Sequence, residues 1–140
     1  GNGEFDINVR VPGWATKGFF VKINGESQSI EAVPGTYLTL SRDWKDGDTI
    51  ELTMPFHFYL KSLMDKPNIT SIFYGPVLLA VQEKSALSDY RKVILDASYI
   101  GNSITGDPST LHFTTNGVEL KPFYETYDRY SVYLDVILEE

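Results

Sequence analysis

The sequence predicts an all-β fold, an antiparallel β-sandwich of jelly-roll type with about nine or ten short strands and one long loop. Three observations predict this fold. Apolar and polar residues alternate along several short segments, which is the period of half-buried strands. Turn-forming residues recur about every ten residues, with no repeated helix between the strands. The aromatic content of 14%, with nine Tyr and eight Phe, also favours strands over helices.

The first part of the chain contains about half of the predicted strands. Residues 4–11 alternate and end at Pro12-Gly13. Residues 19–23 form the next strand and lead into Asn24-Gly25, a hairpin signal because both residue types tolerate positive φ. The turn formers Asp46-Gly47-Asp48 precede a further alternation. The remaining strands predicted here cover residues 27–30, 36–41, 50–54 and, as a short extension, 57–60.

The second part begins with an apolar pair of strands, residues 69–74 and 77–81, which flank Gly75-Pro76. Residues 83–90 hold the one predicted helical turn. A stretch rich in Gly, Ser, Asn, Asp and Pro predicts a long exposed loop over residues 96–109. The last predicted elements are a hairpin of residues 111–114 and 118–120 around Asn116-Gly117, and one long strand over residues 130–138.

Length and composition narrow the possible functions. A chain of 140 residues is near the commonest size of a single domain, so we expect one core. Nineteen acidic and twelve basic residues give a formal charge of -7, which disfavours a nucleic-acid partner. No apolar run approaches the roughly 20 residues that span a bilayer, so we expect no membrane partner. With no cysteine, disulfides, zinc-thiolate sites and thiol nucleophiles are excluded from this chain.

The side chains that carry chemistry in other proteins have structural interpretations here. Asp43, Asp46 and Asp48 surround a predicted turn, where Asp is favoured because it accepts hydrogen bonds from nearby amides. His57 and His112 lack metal-ligand spacing. No nucleophile elbow and no phosphate-binding glycine loop occurs. The sequence therefore predicts no catalytic residue, no metal ligand and no cofactor.

The candidate binding residues are aromatic, and two interpretations stay open. Trp14 and Trp44 lie near strand ends, and Tyr127 and Tyr130 belong to a segment dense in tyrosine. Such rings cover a core or a domain interface, or they stack on the C–H face of a sugar. Buried tryptophans would favour the first interpretation, and two coplanar exposed rings would favour sugar binding.

Several motifs stand in an order that is similar to a known family. They are V-R-V-P-G-W-A at residues 9–15, V-K-I-N-G-E at 21–26, a segment ending in W-K-D-G-D at 37–48, and Y-G-P-V-L-L-A at 74–80. This pattern resembles the β-sandwich region after the catalytic barrel, the C-terminal region, of glycoside hydrolase families 127 and 146. Tyr74 stands where the family commonly has Arg, and residues 85–116 match no family motif.

The resemblance implies a β-L-arabinofuranosidase-like parent enzyme, bacterial and secreted or periplasmic. Its active site would lie in an (α/α)6 barrel with a zinc-bound cysteine nucleophile and a glutamate ligand. Because this chain has no cysteine and starts at Gly1 without Met, we expect residues 1–140 to be a single non-catalytic accessory domain of that enzyme.

Its expected partner is the catalytic barrel of the same polypeptide, against which it would pack as a support. The alternative is a carbohydrate-binding module that holds arabinose-containing plant oligosaccharides through exposed aromatics.

Overall fold

The computed structural model describes residues 2–140 and confirms the all-β class. The strands follow the chain as β1 (Gly3–Arg10), β2 (Phe20–Ile23), β3 (Glu26–Ser27), β4 (Tyr37–Trp44), β5 (Ile50–Thr53), β6 (Phe58–Ser62), β7 (Ile69–Tyr74), β8 (Val77–Gln82), β9 (Lys92–Asp96), β10 (Thr105–Asp107), β11 (His112–Thr115), β12 (Val118–Pro122), β13 (Tyr130–Ser131) and β14 (Leu134–Glu139). Two short 3₁₀ turns, Ile100–Ser103 and Phe123–Glu125, supply the helical residues of the described chain. None of its helical segments is long and apolar enough to cross a membrane.

The chain divides into two compact units, the first ending at Phe56 and the second running from His57 to Glu140. The first unit contains two small sheets. In one, β1 and β4 pair antiparallel from Gly3 opposite Trp44 to Arg10 opposite Tyr37. In the other, the strand order is β3-β2-β5, again antiparallel.

The core of the first unit follows the alternation that the sequence predicts. Val21 and Ile23 of β2 are buried, whereas the intervening Lys22 is exposed. The other buried apolar residues of this core are Val11, Ala15, Phe19, Leu40 and Trp44. Of the predicted inward face of β1, Ile7 and Val9 pack against this core, but Phe5 is about half exposed.

The Asn24-Gly25 hairpin is confirmed, since both residues have positive φ, 52° and 83°. Asn24 also bonds beyond its own turn. Its side-chain Oδ1 accepts from the Thr49 amide at 2.9 Å, and its Nδ2 donates to Asp48 Oδ1 at 3.0 Å. The side chain therefore ties the β2-β3 turn to the turn before β5.

The second unit has one large sheet with the strand order β10-β11-β12-β8-β7-β14-β9, and β13 and β6 pair alongside β8 and β7. Its pairs are antiparallel except one, because β14 runs parallel to β9, with Val136 opposite Val93. The sequence predicts an antiparallel sandwich, and this one parallel pair departs from that prediction. Parallel neighbours need a crossover of a dozen or more residues, and residues 97–133 between β9 and β14 provide one.

The core of the second unit includes an aromatic cluster. The ring of Phe113 lies 4.9 Å from that of Phe58 and 5.1 Å from that of Tyr74, measured between centroids. Tyr74, the residue that departs from the family motif, is thus part of the packing. The buried aliphatic residues around it are Ile72, Leu79, Val81, Val93, Leu95, Ile100, Ile104, Leu120, Leu134 and Val136.

Residues 96–109 are not the long exposed loop that composition predicts. Ile100 and Ile104 are buried in the core of the second unit, and β10 lies in the same stretch. The polar residues build compact turns instead: Asp96 Oδ1 accepts from the amide and hydroxyl of Ser98, at 2.7 and 2.6 Å. The turn-like composition of this stretch therefore gave no indication that Ile100 and Ile104 are core residues.

Other boundaries also differ from prediction. The described residues form fourteen strands rather than nine or ten, and two separate hydrophobic clusters replace the one core expected from chain length. Residues 83–90 have no helix, and β9 was not predicted. The predicted last strand is split, because Tyr130–Ser131 pairs with β8 whereas Leu134–Glu139 pairs with β7 and β9.

Candidate functional site

The acidic residues near the β4-β5 connection stabilise a turn. Asp48 accepts from the Lys45 amide at 2.8 Å and from Asn24 Nδ2 at 3.0 Å. The Lys45 amide, together with Asn24 and Arg42, holds the pKa of this partly buried carboxyl below its usual value. Asp43 lies exposed in β4. These contacts agree with the turn interpretation and differ from a carboxylate pair facing a substrate pocket.

The two histidines have different environments. His57 is buried with its ring 5.6 Å from that of Tyr59. His112 lies between two carboxylates, with Nδ1 3.4 Å from Glu119 Oε1 and Nε2 3.0 Å from Glu125 Oε1. Within residues 2–140, no group of three or more His, Cys, Asp or Glu side chains has the arrangement to hold a metal ion.

Trp44 is a core residue of the first unit, with only 4% of its surface exposed. Its indole N–H donates to the Phe5 carbonyl at 2.9 Å. The guanidinium carbon of Arg42 lies 5.1 Å from the centre of its ring. Since the ring is buried and its one donor is used, Trp44 has no face free for a sugar.

Trp14 is half-buried and belongs to an exposed apolar surface of the first unit. Its ring meets that of Phe56 edge-on at 5.1 Å and 90°. Phe20 is 60% exposed, and its ring covers Gly18, next to Pro55. We call Trp14, Phe20, Pro55 and Phe56 the Phe20 surface.

Sequence reasoning missed Phe20 and Phe56 as surface residues. The signal was present for Phe20, because it shares the outward face of β2 with Lys22.

Tyr127 and Tyr130 lie on the second unit, and both are exposed. Lys121 Nζ lies 5.4 Å from the ring centre of Tyr127. The backbone that carries them is held by Gln82, whose Nε2 donates to the carbonyls of Tyr127 and Arg129 at 2.6 and 2.7 Å. The Tyr127 amide donates back to Gln82 Oε1 at 3.1 Å. Gln82, which is partly buried at the end of β8, thus fixes the backbone of residues 127–129.

Tyr130, but not Tyr127, lines a groove of about 580 Å³ formed by residue 83, residues 85–90 and residues 128–133, here called the Tyr130 groove. At its base, Arg91 donates two hydrogen bonds to the Glu83 carboxylate, at 3.0 and 2.6 Å, and Ser131 Oγ donates a third at 2.9 Å. The hydrogen bonds from Arg91 lower the pKa of Glu83 despite its burial. Sequence reasoning did not identify Glu83 and Tyr90 as members of one groove, nor Arg91 as the partner of Glu83.

Comparison with known proteins gives a consistent resemblance. Residues 1–56 match the family model described as "Beta-L-arabinofuranosidase, GH127 middle domain". A search of curated proteins finds no match. Several solved structures match in fold, among them a glycoside hydrolase with 18% identity and a TM-score of 0.68, over 96% of this chain and 28% of that chain. A second is a GH127 β-arabinofuranosidase (18% identity, TM-score 0.66, 98% of this chain and 28% of that chain). A third is a GH127 β-L-arabinofuranosidase from Geobacillus stearothermophilus T6 (17% identity, TM-score 0.66, 97% of this chain and 27% of that chain).

This chain thus spans little more than a quarter of the length of those structures. The family model that matches describes a middle domain, where the sequence motifs had suggested a C-terminal region. The boundary of its match coincides with the end of the first unit at Phe56. The resemblance expected from the motifs is confirmed: the chain contains a domain like the middle domain of family 127 β-L-arabinofuranosidases.

Proposed function

We propose that the chain is a non-catalytic accessory region of a β-L-arabinofuranosidase-like glycoside hydrolase and supports the catalytic domain of the same polypeptide. The observation that carries the proposal is the Phe20 surface, where the Phe20 ring is 60% exposed near Gly18 and Pro55. Phe56, which follows Pro55 in the chain and packs on Trp14, is 43% exposed. Contiguous exposed apolar residues on a small domain are typical of interaction sites. The match of residues 1–56 to a middle domain supports a neighbour within the same chain.

The positions of the two tryptophans also agree with the proposal that the chain supports a catalytic domain. Trp44 is buried and Trp14 is half-buried against Phe56, so they do not form the two exposed coplanar rings that a sugar platform needs. A rigid two-sheet unit with such an apolar surface can fix the position of a neighbouring domain. The secreted or periplasmic location stays a prediction from the resemblance alone.

The test uses the complete protein that contains this chain. Phe20→Ser should leave the unfolding of the isolated 140-residue chain nearly unchanged, because the ring is exposed, but should lower the Tm of the complete protein. Tyr37→Ser is the matched control, since Tyr37 is an exposed aromatic of the first unit outside the Phe20 surface. Equal Tm values for both variants of the complete protein would contradict the support role.

A second assay tests the non-catalytic assignment. The isolated chain should release no product from an aryl β-L-arabinofuranoside, whereas the complete protein should release it. Hydrolysis by the isolated chain that survives repurification would overturn the assignment.

A further inference from the structure

The Tyr130 groove has the size and lining of a small-ligand site. Its volume of about 580 Å³ lies within the range of about 300–1,000 Å³ that is usual for such pockets. It belongs wholly to the second unit, and it includes none of the residues of the Phe20 surface. A role for this groove is therefore separate from the proposed support role and does not rest on it.

The walls of the groove combine apolar rings with hydroxyl groups. Tyr90, Tyr130 and Tyr133 are 40%, 49% and 43% exposed, and all three line it with the equally exposed Leu87. Lys66 Nζ lies 5.9 Å from the ring centre of Tyr90. Tyrosine offers an apolar face and a hydrogen-bonding edge on one rigid side chain, which suits a ligand that is itself both apolar and polar.

The framework of the groove is fixed before any ligand arrives. The Glu83 carboxylate accepts three hydrogen bonds, two from Arg91 and one from Ser131. Its charge is therefore paired within the protein. On one wall, Gln82 holds the backbone of residues 127–129. On the other wall, the Tyr90 amide donates to Asp89 Oδ1 at 2.8 Å. A preformed site loses less entropy when it binds.

The wall also holds Asp128 in an unusual backbone conformation, with φ at 58°. A non-glycine residue in this region costs free energy, and such residues concentrate at ligand sites and tight turns. Asp128 lies within the Gln82-bound backbone, two residues before Tyr130, so this conformation sets the path of the chain into the groove.

The chemistry of the lining selects the class of ligand. The chain has a formal charge of -7, and the groove carries Asp89 and Asp128 beside Arg129, so an anionic ligand is disfavoured. A purely apolar ligand would bury carboxylates and tyrosine hydroxyls without partners. We propose that the Tyr130 groove binds a neutral oligosaccharide, whose C–H faces would stack on the tyrosines and whose hydroxyl groups would bond to Asp89, Asp128 and Arg129.

Nuclear magnetic resonance titration of the ¹⁵N-labelled 140-residue chain tests this proposal. The probes are arabinotriose, xylotriose and galactotriose, each raised to about 10 mM, which detects a Kd of about 1 mM. At least one probe should cause saturable shifts confined to residues 83–91 and 127–133. Tyr130→Ala should weaken that binding at least about tenfold, since the stacking of a sugar on an aromatic side chain requires the ring.

Two controls keep the test decisive. Tyr130→Phe retains the ring and should retain most of the binding, and Tyr124→Ala removes an exposed tyrosine outside the groove and should have no effect. No shift with any of the three probes, or shifts centred on Trp14 and Phe20, would overturn the proposal. The absence of any shift would leave the support role unaffected, because that role is read from the Tm of the complete protein, whereas shifts centred on Trp14 and Phe20 would also favour sugar binding at the Phe20 surface.

Discussion

The side chain of Asn116 is bonded to both backbone polar groups of Ile94. The Ile94 amide donates to Asn116 Oδ1 at 3.0 Å, and Asn116 Nδ2 donates to the Ile94 carbonyl at 2.9 Å. Because β9 pairs with β14 alone, its other edge would otherwise offer these groups to another chain. Asn116 thus closes the exposed edge of β9 from the β11-β12 turn.

Asn116→Gly tests this edge closure. Glycine keeps the positive φ of 49° that the turn requires, so the turn stays possible. The variant removes the two side-chain bonds to Ile94 and also the bond that Asn116 Nδ2 donates to Thr115 Oγ1 at 3.0 Å. We expect a loss of about 1–3 kcal/mol in the free energy of unfolding, measured by urea denaturation, because two backbone groups lose their partners. The Ile94 amide should also exchange faster with solvent, whereas the Val136 amide, which donates to the Asn68 carbonyl at 2.8 Å, should not. A variant as stable as the original chain would contradict the finding.

Substitution of Trp44 should show that it is a core residue. Trp44→Ala should lower the free energy of unfolding by about 3–5 kcal/mol, because it leaves a cavity and removes the indole hydrogen bond to the Phe5 carbonyl. Trp44→Phe should cost less, since it keeps most of the apolar volume. Trp14→Ala serves as the comparison and should cost less than Trp44→Ala because Trp14 is only half-buried. The opposite order, measured by denaturant titration, would be incompatible with this core.

Ile104→Ala tests the packing of the segment that composition assigned to a loop. Ile104 is buried in the core of the second unit, so truncation should cost about 2–5 kcal/mol. Met64→Ala is the control, because Met64 is fully exposed and its loss should change stability by less than about 0.5 kcal/mol. If Ile104→Ala were as mild as the control, residues 96–109 would be the exposed loop after all.

The ion pair of Glu83 and Arg91 should make stability depend on acid pH. The pKa of Glu83 is lowered in the folded chain, chiefly by the hydrogen bonds from Arg91. The unfolded chain therefore binds more protons near its ordinary pKa of 4.5, so the stabilisation is complete above that value. It is lost as the pH falls through the folded-state pKa.

Glu83→Gln should cost about 1–3 kcal/mol at pH 7, and its difference from the original chain should shrink between pH 5 and about pH 3. Glu26→Gln, on the exposed strand β3, is the matched control and should change stability little at either pH. A constant difference across this range would show that the charge of Glu83 does not contribute to folding.

Local patterns in the sequence were sufficient for the strand class and both Asn-Gly turns. Strand period and turn chemistry depend on neighbouring residues, which explains why residues 69–74 were predicted with their correct bounds. The pairing of strands that are distant in sequence could not be predicted from local patterns. The parallel register of β9 and β14 depends on a crossover, and burial of Ile100 depends on residues distant in sequence.

The candidate sites show the same division. The sequence singled out Trp14 as a candidate for a core, an interface or a sugar site, and that assignment stays a prediction. The residues that lie near it on the Phe20 surface, Phe20 and Phe56, come from separate segments. Tyr130 was also singled out, whereas Glu83 and Tyr90 meet it only after folding. Residue type was therefore enough to select single residues of each surface, whereas their neighbours on that surface could be identified only from the folded structure.

The support role is tested most directly by hydrogen exchange at the Phe20 surface. The amides of residues 14–20, 53, 54 and 56 should be compared in the isolated chain and in the complete protein that contains it, since Pro55 has no amide proton. If the surface packs against a catalytic domain, these amides should exchange at least about tenfold more slowly in the complete protein, while those of the exposed β3 turn keep their rates. Equal exchange at residues 14–20, 53, 54 and 56 in the two proteins would contradict the support role.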